Sequence, residues 1–145
     1  MKRERRRART LALQTLYEVD TVGHPAAEVI ARHIDGNQSL HENHTGFMKE
    51  LVEGVLDLTP QLDEHIAGCA PEWPVDQIAV LDRNILRMAL WEIAVSDETP
   101  LKVAINEAVE LAKRFGSDSS PRFINGVLGT LAKRSSELRQ QFLSS

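Results

Sequence analysis

Apolar residues along this chain recur at spacings of three and four, the period of a helix face, and no segment shows a strong strand pattern. In the first stretch Ala8, Leu11, Ala12, Thr15, Leu16 and Val19 share one face, and Gly23-His24-Pro25 ends it. A short helix over Ala26–Ile34 follows, then a polar, breaker-rich loop over Asp35–Asn43. Phe47, Leu51, Val55 and Leu58 form the stripe of a third helix from about Thr45. Thr59-Pro60 reads as an N-cap followed by Pro at the first helical position, which starts a further short helix through Leu62 and Ile66. Gly68 and Pro71 close it.

The most apolar stretch, Val75–Val95, carries Ile78, Leu81, Ile85, Met88, Ala89 and Ile93 at helical spacing, widened by Val80, Leu86, Leu90 and Trp91. A helix apolar on most sides belongs at the centre of a core. After the break at Asp97-Glu98-Thr99-Pro100, Lys102–Phe115 forms another helix, closed by Gly116 in the C′ position with Lys113 and Arg114 in its last turn. Ser120-Pro121 opens the last one, whose polar tail frays. The pattern predicts an all-α fold of about seven helices in a single domain over residues 1–145.

Composition narrows the class. Hydrophobic residues make up 42% and charged residues 26%, ordinary for a soluble globular chain, so aliphatic side chains must fill the core where aromatics are only 5%. No apolar run approaches a membrane span, and Leu11–Thr15 turns polar too quickly for a signal peptide. Cys69 is the single cysteine, which excludes an intrachain disulfide and suits a reducing, cytoplasmic compartment.

Catalytic chemistry is weakly represented. His41 and His44 sit with Glu42 in the predicted loop without a cysteine nearby, so the five histidines (His24, His33, His41, His44, His65) predict no metal site. Cys69, four residues after His65, reads as a small buried thiol. No phosphate loop, nucleophile elbow or zinc-protease motif is present, and no cofactor is expected. Glu107 and Glu110 beside Lys113 and Arg114 read as a salt-bridged face. Asn106 and Asn125-Gly126 interrupt apolar helical stretches. One reading makes them buried amides and a close helix contact; the other puts Phe123 and its neighbours at a surface for base stacking.

Charge is strongly asymmetric. Lys2, Arg3, Arg5, Arg6, Arg7 and Arg9 against Glu4 leave +5 in the first ten residues, so a chain of net charge −4 carries −9 beyond Thr10. The run continues without Gly or Pro into the first helix, where it opposes the helix dipole unless an anion binds there. Two readings stand: a solubilising tail, or a helical array of guanidinium forks for phosphate oxygens.

These pieces resemble the NusB family of transcription antitermination factors. The resemblance rests on Arg5-Arg6-Arg7-Ala8-Arg9 with Ala12–Tyr17, Val80–Arg87 with Trp91-Glu92, Lys102–Lys113, and Phe123–Leu128, in that order over nearly the whole chain. It implies two crossed three-helix bundles with an extra helix. It also implies binding to boxA RNA together with NusE, a small-subunit ribosomal protein, and assembly into an antitermination complex on RNA polymerase, notably for ribosomal RNA. By the same resemblance, RNA contacts fall on Lys2, Arg3, Arg5, Arg6 and Arg9, with Gln14 and Phe123 toward the bases. NusE contacts fall on Tyr17, Asp76 and Asp82.

Physical chemistry suits that division. Cationic side chains supply affinity through phosphates, while an amide and an aromatic read or stack on unpaired bases. Neutralising about four phosphates predicts a log–log salt slope near −3. The acidic remainder suits a basic protein partner. Two alternatives remain at this level: an accessory domain related to the NusB-like region of RNA cytosine methyltransferases, and a homodimer that covers its RNA surface.

Overall fold

The computed structural model describes residues 2–37, 42–96 and 98–143, with the side chains of residues 2–4 excepted. Lys2 and Arg3 as contact side chains, and Ser39, His41 and Asp97, thus lie outside the described residues. Among those described, every regular element is helical: α1 (Lys2–Val22), α2 (Ala26–Asp35), α3 (Glu42–Cys69), α4 (Val80–Ala94), α5 (Leu101–Phe115), α6 (Ser120–Ala132) and α7 (Ser135–Leu143), with a 3₁₀ turn at Val75–Gln77 before α4. The all-α expectation and the number of helices hold, but the chain is partitioned differently.

Pro60 does not start a helix; it lies inside α3. Leu51, Val52 and Val55 before it, and Leu62 and Ile66 after it, are all buried. That burial outweighs the ~3 kcal/mol an interior Pro costs. Pro60 itself is exposed, so water can take the carbonyl its missing N–H bypasses. At the other end, the expected frayed tail is a separate helix, α7, pinned by buried Leu138 and by Arg139 Nε donating to the Ile93 carbonyl at 3.0 Å. His44, expected in a loop, belongs to α3.

The chain forms two compact units, the first ending at Asp57 and the second beginning at Leu58. In the first, α1 ends at Gly23, whose φ of +81° lets its N–H close back on the Val19 carbonyl. Glu18 then ties α1 to α2: it accepts Arg32 Nη1 at 3.0 Å and Arg32 Nη2, and pairs with His24 Nδ1 at 2.7 Å. In the second unit α4 packs against α5, α6 and α7, as the apolar breadth of its sequence requires.

Polar groups lock this second unit, though not those singled out in the sequence. Asn106 and Asn125 are exposed, and nothing lies within 4 Å of the Cβ position of Gly126, so the buried-amide and close-packing reading is overturned. Buried instead are Asp82, Asn84, Glu92, Thr99, Glu107 and Ser120. Thr99 donates to Glu92 at 2.9 Å, and Arg87 forks onto Asp63 at 2.7 and 2.8 Å. Glu107 leaves the expected salt-bridged face, which retains Glu110 and Lys113 at 3.3 Å.

Gly116 closes α5 with extended backbone (φ −89°, ψ −171°) rather than the left-handed geometry of a C′ glycine. Its reason is close approach: an added Cβ would lie 2.5 Å from Ser120 Oγ and 2.9 Å from the Ala112 carbonyl oxygen. Ser120, expected as a cap, turns its hydroxyl toward Asp82 instead (3.1 Å to Oδ2) and accepts the Ser117 N–H at 2.9 Å.

Candidate nucleic-acid interface

A helix advances about 100° per residue, so the basic run cannot face one way. Positions 6, 10, 14 and 17 share one side of α1, and there Arg6, Gln14 and Tyr17 are exposed. Arg7 is exposed beside them and donates to Asn37 Oδ1 at 2.9 Å, joining α1 to the end of α2. Positions 5 and 9 lie toward the buried face of Ala12 and Leu16. Arg9 is only 3% exposed, and the guanidinium carbons of Arg5 and Arg9 stand 4.1 and 5.3 Å from the Phe47 ring centroid. Two cations against one aromatic ring make a packing device as well as a charge store.

The second unit carries the other predicted residues. Asp76 is exposed on the 3₁₀ turn. Asp82 is 8% exposed; Oδ2 accepts from Ser120, and Oδ1 has no partner among the described residues. Its carboxylate therefore serves the α5–α6 turn in this conformation.

Phe123, half-buried, lines a cleft of about 370 Å³. The loop after α3, where Trp73 is 55% exposed, also lines it. Arg122, Gly126, Val127 and Cys69 complete the lining. Burial pushes the Cys69 thiol up, away from the thiolate that a nucleophile uses. Gly126 sits in a helix interior at a cost of ~1 kcal/mol against Ala, with no packing contact to justify it. Sequence reading missed Trp73 and Arg122; a Trp between Pro71 and Pro74 in a loop was the available signal.

Residues 6–133 match the model of the NusB family. The chain belongs to that family. Its relatives include proteins named transcription antitermination protein NusB from Dehalococcoides mccartyi (46% identical, covering 97% of this chain and 98% of the relative) and from Roseiflexus sp. (46% identical, 94% and 96%). Among solved structures, T. maritima NusB superposes with a TM-score of 0.83 at 27% identity, covering 89% of this chain and 90% of that one. NusB in a crystal structure with NusE and double-stranded RNA gives 0.83 at 23% identity over 92% and 98%, a likeness of fold. Within this NusB-family chain, no group of three or more His, Cys, Asp or Glu among the described residues is placed to hold a metal ion. No described helix is long and apolar enough to cross a membrane.

Proposed function

We propose that this chain is a cytoplasmic transcription antitermination factor, a binding module without catalytic chemistry, that binds boxA RNA with NusE and joins the antitermination complex on RNA polymerase. The observation that carries the reading is near full-length similarity, at about 45% identity, to proteins bearing that name. The α1 face adds a physical basis. Arg6 offers a guanidinium to phosphate and Gln14, two turns along, an amide to a base edge. Arg5 and Arg9 stiffen the helix from behind through Phe47, so the face is preformed. Lys2 and Arg3 extend the cationic array in sequence, and Phe123 supplies a stacking ring. Tyr17 and Asp76 are exposed groups suited to a basic protein such as NusE, with Asp82 acting from beneath the surface.

Anisotropy titration of labelled boxA RNA, with and without NusE, at two salt concentrations, tests this. Tighter binding with the pair, and loss on Arg6→Ala, is the expected result. Equal affinity with and without NusE together with indifference to Arg6→Ala refutes it.

A further inference from the structure

We propose that Ser120 holds Asp82 in a latch, and that a cationic group of the protein partner opens it, releasing the first turn of α6 for RNA. This rests on the reading above and deepens it, by naming the element through which NusE tightens RNA binding. The structure holds the latched state. Asp82, in the first turn of α4, is buried, and its Oδ2 accepts the Ser120 hydroxyl at 3.1 Å. Its Oδ1 is buried too and has no hydrogen-bond partner among the described residues. A carboxylate offers about four acceptor positions, so one neutral hydroxyl leaves most of its lost hydration unreplaced. Such a group gains by leaving its site for a cation at the surface.

The hydroxyl has a second acceptor in place. Ser120 Oγ lies 3.1 Å from Ser117 Oγ, the same separation as from Asp82 Oδ2, and it accepts the Ser117 N–H at 2.9 Å. Its proton can therefore turn from Asp82 to Ser117 without leaving a buried donor unpaired. One hydroxyl thus has two arrangements, the bistable element that coupling between sites requires. A partner does not reach a carboxylate that is 8% exposed, so NusE engages the released state. Ser120 is also the first residue of α6, whose opening turn bears Arg122 and Phe123. In the latched state Arg122 is exposed while Phe123 is half-buried. Freed from Asp82, that turn can bring the ring further out. Both ligands then favour one state, and each tightens the other.

The test uses the full chain, boxA RNA and NusE, with anisotropy for RNA and calorimetry for NusE. Ser120→Ala removes the latch, so it should bind NusE more tightly than the unaltered chain, by roughly 5- to 150-fold, the usual range of coupling between two sites. RNA affinity without NusE should rise as well, and the further gain on adding NusE should shrink. Ser120→Cys, close to serine in size and a weak donor, should behave likewise and decides the matter if the alanine variant unfolds. Asp82→Ala should weaken NusE binding and cancel the effect of Ser120→Ala on it. A merely structural Ser120 predicts the opposite sign, because a damaged turn binds both ligands less well. NusE affinity unchanged or lowered in the Ser120 variants overturns the latch. An undiminished gain in RNA affinity from NusE in those variants, or full NusE binding by Asp82→Ala, does the same. No gain from NusE in the unaltered chain also overturns it, and together with indifference to Arg6→Ala defeats the underlying reading too.

Discussion

Arg6 and Arg9 differ by less than one helical turn in sequence, and their substitutions should fail in opposite ways. Arg9→Ala removes a side chain that is 97% buried on its own face of α1. The two stem methylenes that Ala lacks account for about 1.6 kcal/mol of buried apolar surface at ~0.8 kcal/mol each. Its guanidinium, 5.3 Å from the Phe47 centroid, adds about 0.5–1 kcal/mol of cation–π attraction. Relief of the guanidinium's desolvation offsets part of this, so the net loss should be about 2 kcal/mol, a fall in melting temperature of about 4–8 °C for a chain of this size. Arg6→Ala, on the exposed side, should change stability by no more than about 0.5 kcal/mol and weaken RNA binding directly. Urea unfolding followed by circular dichroism, alongside RNA anisotropy at a temperature where both variants are folded, separates the two effects. If Arg9→Ala unfolds with the unaltered protein while losing as much RNA affinity as Arg6→Ala, the assignment of Arg9 to packing is wrong.

Three further outcomes follow from the contacts. Gly116→Ala should destabilise by about 1–3 kcal/mol in chemical denaturation, because its Cβ drives into Ser120 Oγ and a backbone carbonyl and dislodges the Ser120–Asp82 bond; an unchanged midpoint contradicts the close approach. Arg87→Leu should destabilise by about 2 kcal/mol, since it strands Asp63 without its forked partner in a mostly enclosed position; Asp63→Asn in the same background should recover part of the loss, and a Leu variant as stable as wild type argues against the pair. The Arg32 hydrogen bonds, and next the His24 one, hold the Glu18 carboxyl at about 2, down from 4.5. A depressed carboxylate pKa contributes stability above the unfolded value and loses it as pH falls, so the Glu18 contribution should disappear between about pH 4.5 and 2. An NMR titration of Glu18 with a midpoint near 4.5 would contradict the clamp.

Much of the fold was readable from periodicity, and the exceptions share a cause. The stripes through Leu51–Val55 and Ile85–Ile93 identified buried faces because local spacing carries that information. Pro60 misled because local helix-start chemistry was outweighed by apolar burial on both sides of it. The inward placement of Arg9 was legible in principle: it stands three residues before Ala12 and seven before Leu16, in register with the buried face. Helix phase, not the sign of the charge, sets the side on which Arg9 lies. Asp82 with Ser120, thirty-eight residues apart, had no local signal at all. Asn106 is the converse case: its apolar sequence neighbours suggested burial, yet the helix turns Ala104, Glu107, Ala108 and Leu111 inward and leaves Asn106 outside.

The inward turn of part of the basic run also bears on how RNA binding should depend on salt. Six cationic side chains acting together on single-stranded phosphates would give a slope of about −4 in log affinity against log salt, at about 0.7 per phosphate. Arg5 and Arg9 are instead engaged with Phe47, and withdrawing them would forfeit ring contact and, for Arg9, nearly complete burial. The proposed RNA binding then draws on Lys2, Arg3, Arg6 and Arg7 of the run, Arg7 by exchanging its bond to Asn37 for a phosphate, and four such contacts return a slope of about −3. The same argument makes Phe47→Leu informative: freeing two guanidinium groups from their aromatic platform should steepen the slope toward −4 while lowering stability. A slope already near −4 in the unaltered protein, and unchanged in Phe47→Leu, would mean that the stacked pair reaches the RNA and that the basic run acts as a simple sum of its charges.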